Sequence, residues 1–165
     1  MERKEAVTGM QKGDMIVNLA DIPEVPSTEG VFLKRAMICD MPEILAWVRE
    51  ELDSAAWVSE CEKAILQGTC FIAAAAGKIL GFSCYDATAL DYFGPIGIAP
   101  SSRGTGIGRA LLLRTLHAMR EKGYAYAIIG WVGDAAGFYE RTAGASYIPG
   151  GIPSHSAYRD MIRFS

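Results

Sequence analysis

The sequence has no excess of positive charge and no long apolar run. Its 16 Lys and Arg residues are outnumbered by 19 Asp and Glu residues, which gives a formal net charge of −3 and a pI near 5.4. This balance argues against a surface that binds duplex nucleic acid. No apolar run approaches the ~20 residues that cross a bilayer, and the opening MERKEAVTGM lacks a signal-peptide core. We therefore expect a cytoplasmic protein with neither nucleic-acid nor membrane partners.

Metal-binding side chains are also scarce. The four cysteines and two histidines of the chain are Cys39, Cys61, Cys70, Cys84, His117 and His155. They form no Cys-x-x-Cys pair and have no spacing typical of a zinc site. The sequence thus predicts reduced, mostly buried thiols and no metal.

Two common phosphate-binding motifs are missing as well. A dinucleotide fingerprint needs a third glycine five residues after the first, but Arg109 stands there when counted from Gly104. No Gly-Lys-Ser/Thr string that would complete a P-loop occurs. The chain has instead the string RGTGIG over 103–108, placed after an apolar strand pattern and ahead of an apolar-striped helix.

The RGTGIG string can bind a diphosphate through its main chain. Glycines allow the backbone to approach a ligand closely, and successive N–H groups at a helix start point toward the same place at a positive potential. Arg103 or Arg109 would add positive charge. The alternative is a glycine-rich loop that only caps the helix.

The length of 165 residues suits one domain with its own core. Residues 1–30 have the weakest pattern, and we interpret them as a leader that is partly mobile or forms a short strand or arm over 15–26. The patterned domain covers 31–165. The 15–26 arm and the C-terminal strands are the segments that would serve a homodimer.

Periodicity predicts helices alternating with strands. Strands are predicted over 31–37, 69–76, 79–87, 92–99 and 124–132, with two more after residue 144. Helices are predicted after Asp40 and Pro42, and over 54–67, 108–122 and 134–144. Gly77-Lys78 would be a hairpin turn, Gly94-Pro95 a bulge or bend, and Asp134 an N-cap.

A strand, a helix and a strand over 92–132 predict a parallel βαβ unit. The fold class is therefore α+β in α/β/α layers. We expect one mixed sheet of six or seven strands, antiparallel at first with a central parallel pair, and helices on both faces.

The strings IGIAPSSRGTGIGRALL and GFYER resemble the GCN5-related N-acetyltransferase (GNAT) superfamily, and the order of elements from Val31 onward resembles its whole fold. YAYAIIGWVG and YRDMI look like a bacterial subgroup of it. The resemblance implies acetyl-CoA as cosubstrate, without a metal.

The resemblance also implies cofactor-binding residues. The pyrophosphate would meet main-chain amides of Arg103, Gly104, Thr105, Gly106, Ile107, Gly108 and Arg109. The pantetheine arm would meet the backbone of Ile96, Gly97 and Ile98. Phe138 is assigned to the same surface, with core packing as the alternative. Val132 replaces an asparagine that the family often places on the cofactor.

Acetyl transfer to an amine needs a neutral nucleophile and a proton or hydrogen bond for the departing thiolate. Tyr139 matches the family tyrosine beside the sulfur of CoA, so it is predicted to be the general acid. For the base we name Asp86, in an apolar strand, with Asp91, a water chain or an already neutral amine as alternatives.

Other side chains carry weaker interpretations. Trp131 would line the acyl or acceptor pocket, or pack in the core. His155 would touch an acceptor, and His117 would face solvent. A covalent acyl-enzyme on Cys84 is disfavoured because nothing nearby activates a thiolate.

The resemblance therefore implies direct acetyl transfer in a ternary complex to a primary amine of a small molecule or peptide. The alternative is a non-catalytic acyl-CoA-binding or regulatory module, because the usual base position and the asparagine are missing.

Overall fold

Seven strands form two antiparallel sheets in the computed structural model, which describes residues 12–157. The strands are β1 (Gly13–Asn18), β2 (Phe32–Arg35), β3 (Cys70–Ala75), β4 (Lys78–Tyr85), β5 (Phe93–Ile98), β6 (Tyr126–Val132) and β7 (Ser146–Tyr147). The helices are α1 (Met41–Leu52), α2 (Ala55–Gln67), α3 (Ile107–Lys122) and α4 (Ala136–Ala143). Within the described residues no helix is long and apolar enough to cross a membrane.

The larger sheet has the order β2-β3-β4-β5 and the smaller one the order β6-β1-β7. Side chains of β3 and β4 alternate between two cores, as strand geometry requires. Phe71 and Ala73 pack in the core that contains α3, whereas Cys70 and Ile72 pack in the core that contains α1 and α2. Helices thus cover both faces of the larger sheet, and the α+β fold class is confirmed.

The prediction of one mixed sheet with a central parallel pair is wrong. Every ladder of the two described sheets is antiparallel, and β5 meets β6 only at an isolated parallel bridge between Tyr92 and Ile128. Beyond this bridge β5 bends at Gly94-Pro95, where its register against β4 shifts between Ser83 and Tyr85. The sequence-predicted bulge is therefore confirmed, and it separates the two strands that were expected to pair.

Most helix ends agree with the sequence. The Ser54 hydroxyl accepts a hydrogen bond from the Trp57 N–H at 3.3 Å, and Gly68 and Gly123 end α2 and α3. Asp134 is not the N-cap of α4, because that position is Ala135. The β3–β4 turn is Ala76-Gly77 rather than Gly77-Lys78, with both residues at positive φ as a two-residue hairpin turn of this type requires.

The segment before residue 31 is joined closely to the fold. Strand β1 lies between β6 and β7, with Met15 and Val17 fully buried. The prediction that His117 faces solvent is wrong. This residue of α3 is buried under the segment before residue 31, where its Nε2 lies 2.8 Å from the Pro23 carbonyl. The division into a leader over 1–30 and a domain over 31–165 stays a prediction, and the last predicted strand falls largely outside the described residues.

Gly97 of β5 is packed tightly against β4 and the α1–α2 corner. A Cβ at this position would lie 3.0 Å from Phe82 Cε1 and 3.1 Å from Trp57 Cζ3, and still closer to Leu52 Cδ1. We expect Gly97→Ala to lower the free energy of unfolding by about 1–3 kcal/mol through overpacking. Chemical denaturation of the purified protein measures this change.

Gly108→Ala is the matched control. A Cβ there meets ordinary contacts at 3.6 Å or more inside α3, so the substitution should raise stability by about 0.5–1 kcal/mol. Equal, near-zero effects of the two substitutions would contradict the tight packing at Gly97.

Candidate active site

The start of α3 presents backbone N–H groups to solvent. Gly104 and Gly106 have φ of 76° and 87°, and Gly106 is the N-cap of α3 without a side-chain cap. The Ala110 N–H bonds to the Gly106 carbonyl at 3.1 Å, so the N–H groups before it are those that a helix start leaves without an intrahelical acceptor. Residues 103–106 are exposed. This loop can therefore bind an anion through its main chain, with Arg103 beside it.

Residues 105–108 attach the glycine-rich loop and the first turn of α3 to the rest of the protein. The Thr105 hydroxyl donates to the Ser102 carbonyl, which leaves the Thr105 N–H rather than its side chain for a ligand. Ile107 is buried in the core. A Cβ on Gly108 would lie 3.6 Å from Ile98 and 3.7 Å from Phe138, so the first turn of α3 packs beside β5 and α4.

One edge of β5 carries main-chain groups that no strand pairs. The Ala99 N–H bonds to the Leu80 carbonyl at 2.8 Å, and hydrogen-bonded pairs alternate along an antiparallel ladder. Ile96 and Ile98 occupy the intervening positions, so their N–H and C=O groups point away from β4. Since β5 is the last strand of its sheet, these groups face the space between β5 and β6. We call this space the β5–β6 gap.

The three predicted pantetheine-binding residues differ in the direction of their backbone N–H and C=O groups. Ile96 and Ile98 present their backbone groups to the gap, whereas the register directs those of Gly97 toward Phe82 on β4. Gly97 is needed for another reason, which is the close approach of Leu52 and Trp57. The sequence did not distinguish these roles because register is a property of strand pairing.

The gap is closed at one end. The Ile128 N–H bonds to the Asp91 carbonyl at 3.0 Å next to the Tyr92–Ile128 bridge. After this point the Gly94-Pro95 bulge directs β5 away from β6. The gap therefore widens from the bridge toward Ile98 and the start of α3.

Tyr139 lies near the closed end of the gap. Its ring packs edge-on against Phe93, the first residue of β5, at 6.0 Å between ring centres, and against Phe138 at 5.4 Å. The residue is 7% exposed. Burial raises the pKa of Tyr139 to about 12. The phenol is therefore a protonated donor at neutral pH.

Asp86 lies in a fully partnered buried network. Its Oδ1 accepts the Asp91 N–H at 2.8 Å, its Oδ2 pairs with the Lys122 ammonium, and the Tyr124 hydroxyl donates to the carboxylate at 3.0 Å. The Asp86 hydrogen bond raises the pKa of Lys122. Burial, with the hydrogen bond to Asp86 second, raises that of Tyr124. These donors give Asp86 a structural environment, and its catalytic role stays a prediction.

Asp91 differs from Asp86 in having an unpartnered oxygen. Its Oδ1 is buried without a hydrogen bond among the described residues. Burial and, to a smaller extent, the neighbouring Asp86 charge raise the pKa of Asp91. Of the two aspartates named from the sequence, Asp91 is thus the one with a carboxylate oxygen still able to accept a proton.

Asp14 is a buried carboxylate that the sequence analysis did not consider. Its Oδ1 accepts the Trp131 N–H at 3.2 Å and its Oδ2 accepts the Ser156 hydroxyl at 2.7 Å. Trp131 has a φ of 59°, which is unusual for a bulky residue, and a half-exposed side chain. Asp14 therefore positions Trp131 and the loop that carries Ser156. The signal available in the sequence was the string GDMIVN, in which Asp14 is a charged residue at the start of an apolar strand.

The remaining candidates divide between surface and core. Val132 is buried in the α3-side core and Cys84 is fully buried in the other core. Burial is the main cause that raises the pKa of the Cys84 thiol, which disfavours the nucleophilic thiolate. Trp131 is exposed enough to contact a ligand, so core packing is not its main role.

Comparison with known proteins identifies the fold. Residues 67–142 match the model of a family described as Acetyltransferase (GNAT) domain. A GCN5-related N-acetyltransferase from Sphaerobacter thermophilus is similar at 19% identity with a TM-score of 0.67, over 82% of this chain and 48% of that one. An Escherichia coli GNAT family N-acetyltransferase solved in complex with CoA is similar at 22% identity with a TM-score of 0.55, over 73% and 71%.

A glucosamine N-acetyltransferase region of a fungal multi-domain β-N-acetylglucosaminidase is similar at 16% identity with a TM-score of 0.67, over 83% of this chain and 20% of that one. The chain thus spans about half or less of the Sphaerobacter and fungal structures. At such identities the likeness is one of fold. No curated protein matches the sequence.

The Asp86 network makes a prediction about stability. Asp86→Asn keeps the shape of the side chain but removes the charge that Lys122 and Tyr124 contact. We expect the free energy of unfolding to fall by about 2 kcal/mol, the scale of a charged hydrogen bond. Asp134→Asn is the control, because Asp134 is exposed and caps no helix, and should stay within about 0.5 kcal/mol of the parent in urea denaturation. If Asp86→Asn left the free energy of unfolding unchanged, the structural role of Asp86 would be contradicted.

Proposed function

We propose that this chain transfers an acetyl group from acetyl-CoA to a primary amine of a small molecule or peptide, because residues 67–142 match the GNAT acetyltransferase family model and the fold is similar to that of such enzymes. The observation that carries this proposal is the continuous path along the β5–β6 gap. It begins at the exposed amides before α3, follows the unpaired groups of Ile98 and Ile96, and ends beside Tyr139.

The start of α3 would hold the pyrophosphate of acetyl-CoA. The amides of 103–109 and the positive end of α3 supply hydrogen bonds and favourable potential, and Arg103 and Arg109 supply charge from exposed positions. The gap would hold the pantetheine arm as an additional strand-like partner of β5, with Phe138 beside the first turn of α3. The thioester would then lie near Tyr139.

Direct transfer in a ternary complex would form the C–N bond while the C–S bond breaks. The departing sulfur needs a hydrogen bond or proton, and Tyr139 is a protonated phenol at the gap that can donate one. The acceptor amine must lose a proton. Asp86 is occupied by three donors, so the open oxygen of Asp91, a water chain or an amine that arrives neutral would take this role.

The glycines at the start of α3 allow a binding test. Gly106→Ala places a side chain at a φ of 87° in the loop that would contact the pyrophosphate. We expect acetyl-CoA affinity to fall about tenfold, because a displaced loop aims its amides poorly. Isothermal titration calorimetry measures the change.

Gly123→Ala is the matched control at the other end of α3. Gly123 has a φ of 110°, so the substitution carries a similar backbone strain of about 1–2 kcal/mol far from the proposed ligand. It should lower stability and leave the acetyl-CoA affinity unchanged. Equal losses of affinity in the two variants would contradict a pyrophosphate site at 103–109.

Tyr139→Phe tests the chemical role. The variant keeps the ring packing with Phe93 but removes the donor, so we expect kcat to fall about a hundredfold with the KM for acetyl-CoA little changed. Release of free CoA thiol with an amine panel measures the rate. Tyr126→Phe, at an exposed tyrosine of β6, is the control and should retain full activity.

The pH dependence adds a second measurement. With a pKa of about 12, Tyr139 stays protonated through the ordinary assay range, and its deprotonation would reduce kcat only toward pH 12. An alkaline fall of kcat centred near pH 9 that disappears in Tyr139→Phe would contradict the raised pKa that burial gives this residue.

A non-catalytic acyl-CoA-binding module is the second candidate. It is favoured by the three donors that contact the Asp86 carboxylate, which would oppose its action as a base. Such a module would bind acetyl-CoA and release no CoA thiol with any amine, and Tyr139→Phe would then change no rate.

A further inference from the structure

Three cysteines from three elements meet in the core beneath α1 and α2. Cys61 lies on α2, while Cys70 on β3 and Cys84 on β4 are direct cross-strand partners. All three are fully buried, and their Sγ atoms lie within 4.8 Å of one another. The Sγ atoms of Cys61 and Cys70 are 4.0 Å apart. The fourth cysteine, Cys39, is exposed.

The size of this sulfur triangle fits a metal ion. Three sulfurs 4.0 Å apart lie about 2.3 Å from their common centre, which is the usual length of a zinc–thiolate bond. The Sγ atoms lie no more than 4.8 Å apart, and a triangle with sides of that length would place each sulfur about 2.8 Å from the centre. Rotating the side chains inward by a few tenths of an ångström would then bring all three sulfurs to bonding distance. The three side chains come from elements that already hold them in place.

We propose that Cys61, Cys70 and Cys84 bind one soft metal ion in three-coordinate geometry, with Cu(I) as the ion that fits best. Thiolates select soft ions, and Cu(I) is a soft ion that accepts three sulfurs without a further ligand. Structural zinc requires a fourth ligand, and the described residues place no other His, Cys, Asp or Glu in this group. Each thiol that coordinates the metal releases its proton to solvent.

The surroundings favour a protected ion. Ile44, Val48 and Phe82 are fully buried in the same core and exclude water, which shields Cu(I) from oxidation. Bound metal would tie α2 to β3 and β4. Because Trp57 of α2 contacts the Gly97 position of β5, the metal would also stabilise the wall behind the β5–β6 gap. The proposal does not depend on the acetyltransferase proposal.

The test uses the full reduced chain, handled without oxygen. Protein is incubated with excess Cu(I) or, separately, Zn(II) in the presence of a competing chelator, desalted, and weighed by native mass spectrometry. We expect one retained Cu(I) per chain and a raised Tm. X-ray absorption of the loaded parent protein should show three sulfur neighbours at about 2.3 Å, a result that needs no variant.

Matched cysteine variants locate the ion. Cys61→Ala and Cys84→Ala should each lower Cu(I) retention at least about tenfold, whereas Cys39→Ala should retain it fully. Circular dichroism confirms that each variant is folded. The proposal is overturned if the parent retains no Cu(I), if Cys61→Ala retains as much as the parent, if only Cys39→Ala loses the ion, or if Zn(II) is retained in preference to Cu(I).

Discussion

The separation of β5 from β6 at Gly94-Pro95 is the constraint on which the candidate site depends. A continuous ladder between these strands would pair the backbone of Ile96 and Ile98 and leave no space for a ligand arm. The bulge places two residues of β5 opposite one residue of β4, and proline supplies no N–H to a ladder. The strands therefore meet at Tyr92 and Ile128 and then diverge.

The rest of the molecule holds this opening in place. One core, with α3 and α4, supports the amide-bearing loop and Tyr139, and the other core, with α1 and α2, presses on Gly97 from the opposite face. Strand β1 holds β6 from its far side through an antiparallel ladder. The opening is thus packed on both sides, which suits a ligand that must be held in extended form.

The two carboxylates of the β4–β5 connection show how environment separates similar residues. Asp86 and Asp91 are five residues apart in an apolar context, and composition alone does not distinguish them. In the structure Lys122 and Tyr124 are directed at Asp86, while one oxygen of Asp91 remains unpartnered. Lys122 at the end of α3 and Tyr124 just beyond Gly123 gave no local signal of this partnership, because both reach Asp86 across the fold.

Local chemistry allowed the sequence to determine the helix starts and stops, the strand periods, the bulge at Gly94-Pro95 and the glycine-rich start of α3. Each depends on residues close together in the chain, such as Ser54 or Gly123. Tertiary structure decided which strands pair, that His117 is buried against Pro23, and that Cys61, Cys70 and Cys84 converge. These features depend on contacts between residues far apart in sequence, whose geometry is fixed only when the two cores pack.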